Sequence, residues 1–412
     1  MLITAGRVLS PTCDGYLKDG AVLIEDHRVT AVGPRSELAE PADAAQAADR
    51  DGPGAERLDF PDATLLPGLI DAHVHLIFDA GPEPLAGLQQ SNEELLAAMR
   101  LRARQLLDGG VTTARDLGDR DGLALRLAAE IAGGSADGVG GPGGPHLLCA
   151  GTPLTPPGGH CHFLGGEVAD ATAIRALVRA NIEAGATVVK VMESGGGLTK
   201  DGPRIWERQF PPEALAVAVD EAHRAGVPVA AHAHGTEAIA AAVQADVDTI
   251  EHCTWIVPGG GVEMRDDVLE QIVAKGIRVC PTISPNWHRL PQIFPDRAEA
   301  IFDVCRRMVE SGARLIAGTD AGVQRARFGG LADSLGLYEH LGVPNRDILR
   351  MATTEAADAL GLGDLVGAIA PGFRADLLVV DGDPLTDLGA LRRISAVIAA
   401  GQLYRPEAAP SR

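Results

Sequence analysis

Between residues 64 and 361 the chain repeats one pattern. A short β-branched or aliphatic run is followed by a longer stretch whose apolar residues recur at helical spacing. Eight such runs occur: Thr64-Leu-Leu-Pro-Gly-Leu-Ile-Asp, Val111-Thr-Thr-Ala-Arg-Asp, His146-Leu-Leu-Cys-Ala, Thr187-Val-Val-Lys-Val, Val227-Pro-Val-Ala-Ala-His, Thr249-Ile-Glu-His, Ile277-Arg-Val-Cys-Pro and Arg314-Leu-Ile-Ala-Gly-Thr-Asp. Helical periodicity fills 92–108, 171–184, 212–225, 297–311 and 345–360. Eight strand–helix alternations over this length match an α/β chain folded as a (β/α)8 barrel, or TIM barrel, in number and in size. The flanks differ in kind. Residues 1–63 carry short alternating segments split by Gly, Pro and Asp, and 362–412 become strand-like again at Arg374-Ala-Asp-Leu-Leu-Val-Val-Asp and Ile394-Ser-Ala-Val-Ile-Ala-Ala-Gly. The two ends are expected to pair into one small β-sandwich domain, leaving 64–361 as the barrel. Residues 38–54, rich in Ala, Asp and Pro, read as a surface loop.

Charge narrows the partners. With 36 Lys+Arg against 56 Asp+Glu the formal net charge is −20, and the chain has no basic run. That excludes nucleic acid and an anionic membrane surface, which need clustered cations. No apolar run approaches the ~18–20 residues that span a bilayer. The start has no export pattern, so a cytoplasmic location is expected. The six cysteines (13, 149, 161, 253, 280, 305) show no C-x-x-C spacing and read as reduced, buried thiols. A small-molecule substrate is the expected partner, and a homo-oligomer is compatible with the sequence.

In such a barrel, reactive groups come from the C-terminal ends of the strands. Metal-ligand residue types fall there at five of the eight. The first strand ends in Asp71-Ala-His73-Val-His75, the fourth carries Lys190, the fifth ends at His232-Ala-His234, the sixth at Glu251-His252 and the eighth at Gly318-Thr-Asp320. His73 and His75, two apart on an extended strand, point to one side and can meet one metal ion; taken alone they could be surface histidines. Lys190 sits among aliphatic residues. It is either a snorkelling or ion-paired side chain, or a buried neutral amine that reacts with carbon dioxide to give a carbamate able to bridge two metals. Glu251-His252 alone could be a satisfied core pair. Asp320, among small residues, could be a turn cap, but with metals present it becomes a ligand and a proton shuttle.

The motifs Pro67-Gly-Leu-Ile-Asp-Ala-His-Val-His75, Val188-Val-Lys-Val-Met-Glu-Ser-Gly-Gly196, Ala231-His-Ala-His-Gly-Thr-Glu237, Asp248-Thr-Ile-Glu-His252 and Gly318-Thr-Asp-Ala-Gly322 resemble those of the amidohydrolase superfamily. The nearest branch is that of imidazolonepropionase-like and Xaa-Pro dipeptidase-like hydrolases. The resemblance implies that His73, His75 and Asp320 hold the more buried metal, that His232 and His252 hold the second, and that carboxylated Lys190 bridges them. Zinc is the ion it implies, and the ligand types suit zinc. The chain departs from the family pattern in two places. His234 stands where relatives of the dipeptidase type often have Tyr, and the third-strand loop Gly158-Gly-His160-Cys-His162-Phe adds a second histidine to a Gly-Gly-His loop. His160 and His234 are therefore the expected substrate contacts, with ordinary loop histidines as the alternative for His160 and His162.

The expected reaction is hydrolysis of a C–N bond, with Asp320 carrying a proton from the attacking water to the departing nitrogen. The substrate would be a dipeptide or N-acyl amino acid; a urea, carbamate or cyclic amide is the alternative. A mononuclear deaminase using Glu237 is a third reading. An inactive scaffold would have lost ligands, whereas all six are present here.

Overall fold

The computed structural model describes residues 1–38, 56–133, 143–293 and 295–406. The expected loop 38–54 lies outside these, apart from Leu38. One mixed seven-stranded sheet joins the head and tail of the chain. It is built from β1 (Leu2–Leu9), β2 (Tyr16–Glu25), β3 (Arg28–Pro34), β4 (Arg57–Pro67), β12 (Leu377–Asp381), β13 (Ile394–Ala399) and β14 (Gln402–Tyr404), in the order β14-β13-β12-β4-β1-β2-β3. Its closing contact is antiparallel, with Leu65 opposite Val379.

The remaining strands are all parallel. β5 (Leu69–Val74), β6 (Val111–Asp116) and β7 (His146–Cys149) form one sheet; β8 (Val189–Met192), β9 (Val229–Gly235), β10 (Thr249–Ile256) and β11 (Arg278–Cys280) form another. The first of the eight runs therefore divides between two sheets. Residues 64–67 finish β4 and 69–74 make β5, because Pro67 has no N–H for a ladder and the amide of Gly68 turns to the carbonyl of Asp376, 2.9 Å away. The eighth run joins by isolated parallel bridges, Leu315 with Val279 and Ala321 with Val74, and Leu154 bridges Val191 between the two sheets.

Helices pack outside the strands, each by an apolar stripe. Asn92–Asp108 starts at a capping box in which Ser91 and Glu94 satisfy each other's backbone amides, and it buries Leu95, Leu96, Met99, Ala103, Leu106 and Leu107. Ala171–Glu183 is capped by Asp170. The single helix expected over 345–360 is two, Asn345–Met351 and Thr354–Ala359. The carbonyls of Met351 and Ala352 accept from the amides of Ala317 and Ile70 (2.9 and 2.8 Å), so they cannot continue a helical ladder. All six cysteines are free and buried, as expected. Among the described residues no helix is long and apolar enough to cross a membrane.

Candidate metal centre

Every residue of β5 is buried, and Nε2 of His73 on it lies 3.3 Å from Nε2 of His75, the residue just past its end. Asp320 Oδ1 lies 3.5 Å from both. This carboxylate arrives on a turn whose two glycines are sterically required. A Cβ at Gly318 would sit 2.4 Å from Cys280 Sγ, and one at Gly322, where φ is +107°, would sit 2.2 Å from the carbonyl oxygen of His75. A second group forms where β9 pairs with β10, with Glu251 opposite His232. Ring nitrogens of His232, His234 and His252 all lie within 4.8 Å of one another. The His232 and His252 ring centres are 4.4 Å apart, and His234 stacks on His252 at 4.2 Å. The ring centres of His73 and His252, 5.2 Å apart, place the two groups side by side. His252 and Asp320 hold left-handed backbone angles (φ +70° and +56°), a strain that non-glycine residues keep where the surroundings over-determine them.

Lys190, 1% exposed, lines the same cavity as His75, His232, His252 and Asp320. Its Nζ and Asp320 Oδ1 are both buried without a hydrogen-bond partner among the described residues. Burial pushes the Lys190 amine below its ordinary range, although Glu251 and Asp320 pull it the other way. Burial also lifts the Asp320 carboxyl up to about 7, against the pull of Lys190. Burial drives His73, His232 and His252 well below 6.5, and His75 and His234 down to about 3, so the imidazoles stay neutral with lone pairs free.

Hydrogen bonds select which nitrogen is free. His73 Nδ1 donates to Glu251 Oε2 (2.7 Å) and His75 Nδ1 to the Gly118 carbonyl (3.2 Å), leaving Nε2 of each toward Asp320. His252 Nδ1 is engaged by Thr282 Oγ1 at 2.8 Å. His232 is the reverse: Nε2 donates to the Gly195 carbonyl (3.1 Å), so its Nδ1 carries the lone pair. A buried carboxylate oxygen and amine without partners, among neutral imidazoles of fixed tautomer, are costly unless a cation joins them. The nitrogen and oxygen donors suit divalent metal.

Of the residues singled out from the sequence, His73, His75, His160, Lys190, His232, His234, His252 and Asp320 lie in or against this centre. His234 does so within the second histidine group. His160 lies with its ring centre 4.7 Å from that of His232 and its Nδ1 3.1 Å from Thr199 Oγ1. His162 lines the cavity as well. Glu237 is elsewhere: its side chain is 70% exposed and faces Arg265 at 3.6 Å. Sequence reasoning missed Arg115 and the supporting roles of Asp71 and Glu251 behind these side chains. Arg115, 2% exposed, bonds the Ala72 carbonyl (2.8 Å), Thr249 Oγ1 (3.2 Å) and Glu251 Oε1 (2.8 Å). Asp71 accepts from the amide and the hydroxyl of Thr319 (3.0 and 2.7 Å), tying β5 to the turn that carries Asp320. The one available signal was a pair of charged residues, Arg115 and Glu251, inside runs that otherwise read as buried strand.

Clustered metal donors at the C-terminal ends of parallel strands, opening on one cavity, are the layout of a metal-dependent hydrolase. The chain belongs to the amidohydrolase family, whose pattern it matches over residues 64–404, and it is a hydrolase of carbon–nitrogen bonds. It is 26% identical to an ochratoxinase of Aspergillus niger, over 98% of this chain and 86% of that one. It is also 26% identical to an imidazolonepropionase of Mesorhizobium japonicum, over 89% and 87%. A crystal structure of a Xaa-Pro dipeptidase with bound methionine superposes with a TM-score of 0.82 at 26% identity, covering 98% of this chain and 99% of that one.

Proposed function

We propose that this chain is a binuclear amidohydrolase that cleaves an amide- or peptide-type C–N bond of a small substrate such as a dipeptide or N-acyl amino acid. The observation that carries the reading is two adjacent donor groups sharing a cavity with a buried, unpartnered lysine amine. His73, His75 and Asp320 would hold one ion, His232 and His252 the other, and Lys190, as its carbamate, would bridge them. Its depressed basicity favours the neutral amine that carbamate formation needs. When bound, two such cations acidify water and polarise the scissile carbonyl. Asp320 takes the proton of the attacking water and returns it to the leaving nitrogen. His160 and His234, lining the cavity beside these groups, contact the substrate. The names of the ochratoxinase, imidazolonepropionase and dipeptidase relatives are consistent with this bond class. Zinc is the ion proposed. The exposed, ion-paired position of Glu237 speaks against the deaminase reading.

The same reading takes the eight runs as a closed (β/α)8 barrel, supported by the bridges from Leu315 to Val279 and from Ala321 to Val74. It takes 1–63 with 362–412 as a separate small sandwich, supported by an apolar cluster around Ile3, Val22, Ala63, Val379 and Ile398. Elemental analysis of the purified chain, together with a screen of dipeptides, N-acyl amino acids, ureas and lactams, tests the function. Two zinc ions per chain and C–N hydrolysis are expected; an active preparation without stoichiometric metal overturns the reading.

A further inference from the structure

The cavity above the ligand groups has a volume of about 890 Å³, near the upper end of the ~300–1,000 Å³ usual for small-molecule sites. Its floor is polar, and its rim carries polar residues such as Glu83, Lys200, Asp201 and Gln324, but part of its wall is apolar. Leu85 after β5, Phe163 after β7, Leu198 after β8, and Trp287 and Leu290 after β11 line it, and each is half-buried, leaving apolar surface toward the open space. A concave apolar face beside a polar reacting centre is suited to a ligand that is itself part hydrocarbon.

Trp287 is the best-prepared of these side chains. Its indole N–H donates to the Asp333 carbonyl at 3.0 Å, so the polar end is used up in the wall. His340 lies 5.3 Å and Phe302 6.2 Å from its ring centre. The ring is thus held in place before any ligand arrives, and a flat apolar group packing on it orders little else.

We infer that the substrate carries, on one side of its scissile bond, a bulky aromatic hydrocarbon group about the size of a naphthyl ring, and that Trp287 is the residue that selects it. The bond cleaved rests on the proposed function; the binding of the aromatic group does not. The test begins with 2-acetonaphthone, a ketone without a C–N bond, titrated calorimetrically into the full zinc-loaded chain. Saturable binding is expected, weakened about 10-fold by Trp287→Ala, less by Trp287→Phe, and also by Leu198→Ala, each variant being checked for a parental circular-dichroism spectrum. Hydrolysis of N-acetyl-2-naphthylamine and 2-naphthoylglycinamide is then compared with that of N-acetylglycinamide. One of the two naphthyl amides is expected to show at least ~10-fold higher kcat/KM, and Trp287→Ala to erase that preference mainly through KM. Ketone binding that depends on Trp287 with none of these amides hydrolysed keeps this inference and defeats the proposed amide-type substrate. Hydrolysis of N-acetylglycinamide with no ketone binding, or with binding indifferent to both Trp287→Ala and Leu198→Ala, overturns the inference and leaves the hydrolytic reading standing.

Discussion

Glu251→Gln replaces one oxygen by NH2 in a side chain whose two oxygens do different work. Oε1 accepts from Arg115 Nη2 (2.8 Å) and Thr249 Oγ1 (2.6 Å), and Oε2 accepts from His73 Nδ1 (2.7 Å). Glutamine has one acceptor oxygen for these two places. If its amide nitrogen faces His73, that ring must accept at Nδ1 and carry its proton on Nε2, the atom turned toward His75 and Asp320, so the lone pair a metal needs is lost. If the amide nitrogen faces Arg115, two donors confront each other beside a guanidinium that is 2% exposed. Removing one charge of a buried pair typically costs about 3–5 kcal/mol, and because Arg115 keeps the Ala72 carbonyl and Thr249 the lower end applies here. Loss of a partner that orients a metal-ligating histidine typically costs about 10–100-fold in metal affinity. Zinc affinity by chelator competition at neutral pH and calorimetric melting of the metal-free chain read the two effects separately. A Glu251→Gln variant with parental zinc affinity and parental melting temperature would refute the claim that Glu251 sets the His73 tautomer.

Lys190→Ala is expected to lose most activity and to regain part of it with a short carboxylic acid, while Lys190→Arg, which stays protonated, is expected to be equally poor; an arginine variant with parental rate and metal content removes the bridge. Asp320→Asn should keep the fold while kcat drops by about 10²–10⁴-fold, the usual worth of a proton-transfer group, and undiminished turnover at full metal content would move that role to another residue. His146, at the N-terminal end of β7, is depressed from 6.5 to about 4 by burial, with Arg374 adding to it. The folded chain therefore binds fewer protons there than the unfolded chain, and stability falls as pH drops from about 6.5 toward 4. His146→Gln should make that part of the melting-temperature profile less steep, the rest of the slope belonging to the other buried histidines, and identical slopes would dismiss the assignment.

Much of the candidate site could be read from the chain because its signals are local. An i, i+2 histidine pair shares one face of any extended strand, and a lysine among four aliphatic neighbours is conspicuous in any buried run. The helix 92–108 was equally readable, since its cap and its apolar spacing both lie within the segment. The misplacements share a cause. The helix expected over 345–360 breaks because strand amides from Ile70 and Ala317, remote in sequence, take its carbonyls. Glu237 lies three residues after His234, yet the helix that begins at Thr236 carries its side chain out to Arg265.

The sequence by itself determined the alternation of strands and helices, the ends at which polar side chains collect, and the residue types that can hold a divalent ion, because each depends on spacing within one element. Only the tertiary structure decided that Glu251 and Arg115 stand behind His73, that His232 presents Nδ1 while His73 and His75 present Nε2, and that Trp287 faces the cavity with its N–H spent on Asp333. These are contacts between residues tens to more than a hundred positions apart. Which partner a buried donor finds depends on how the elements pack, and no local pattern records that.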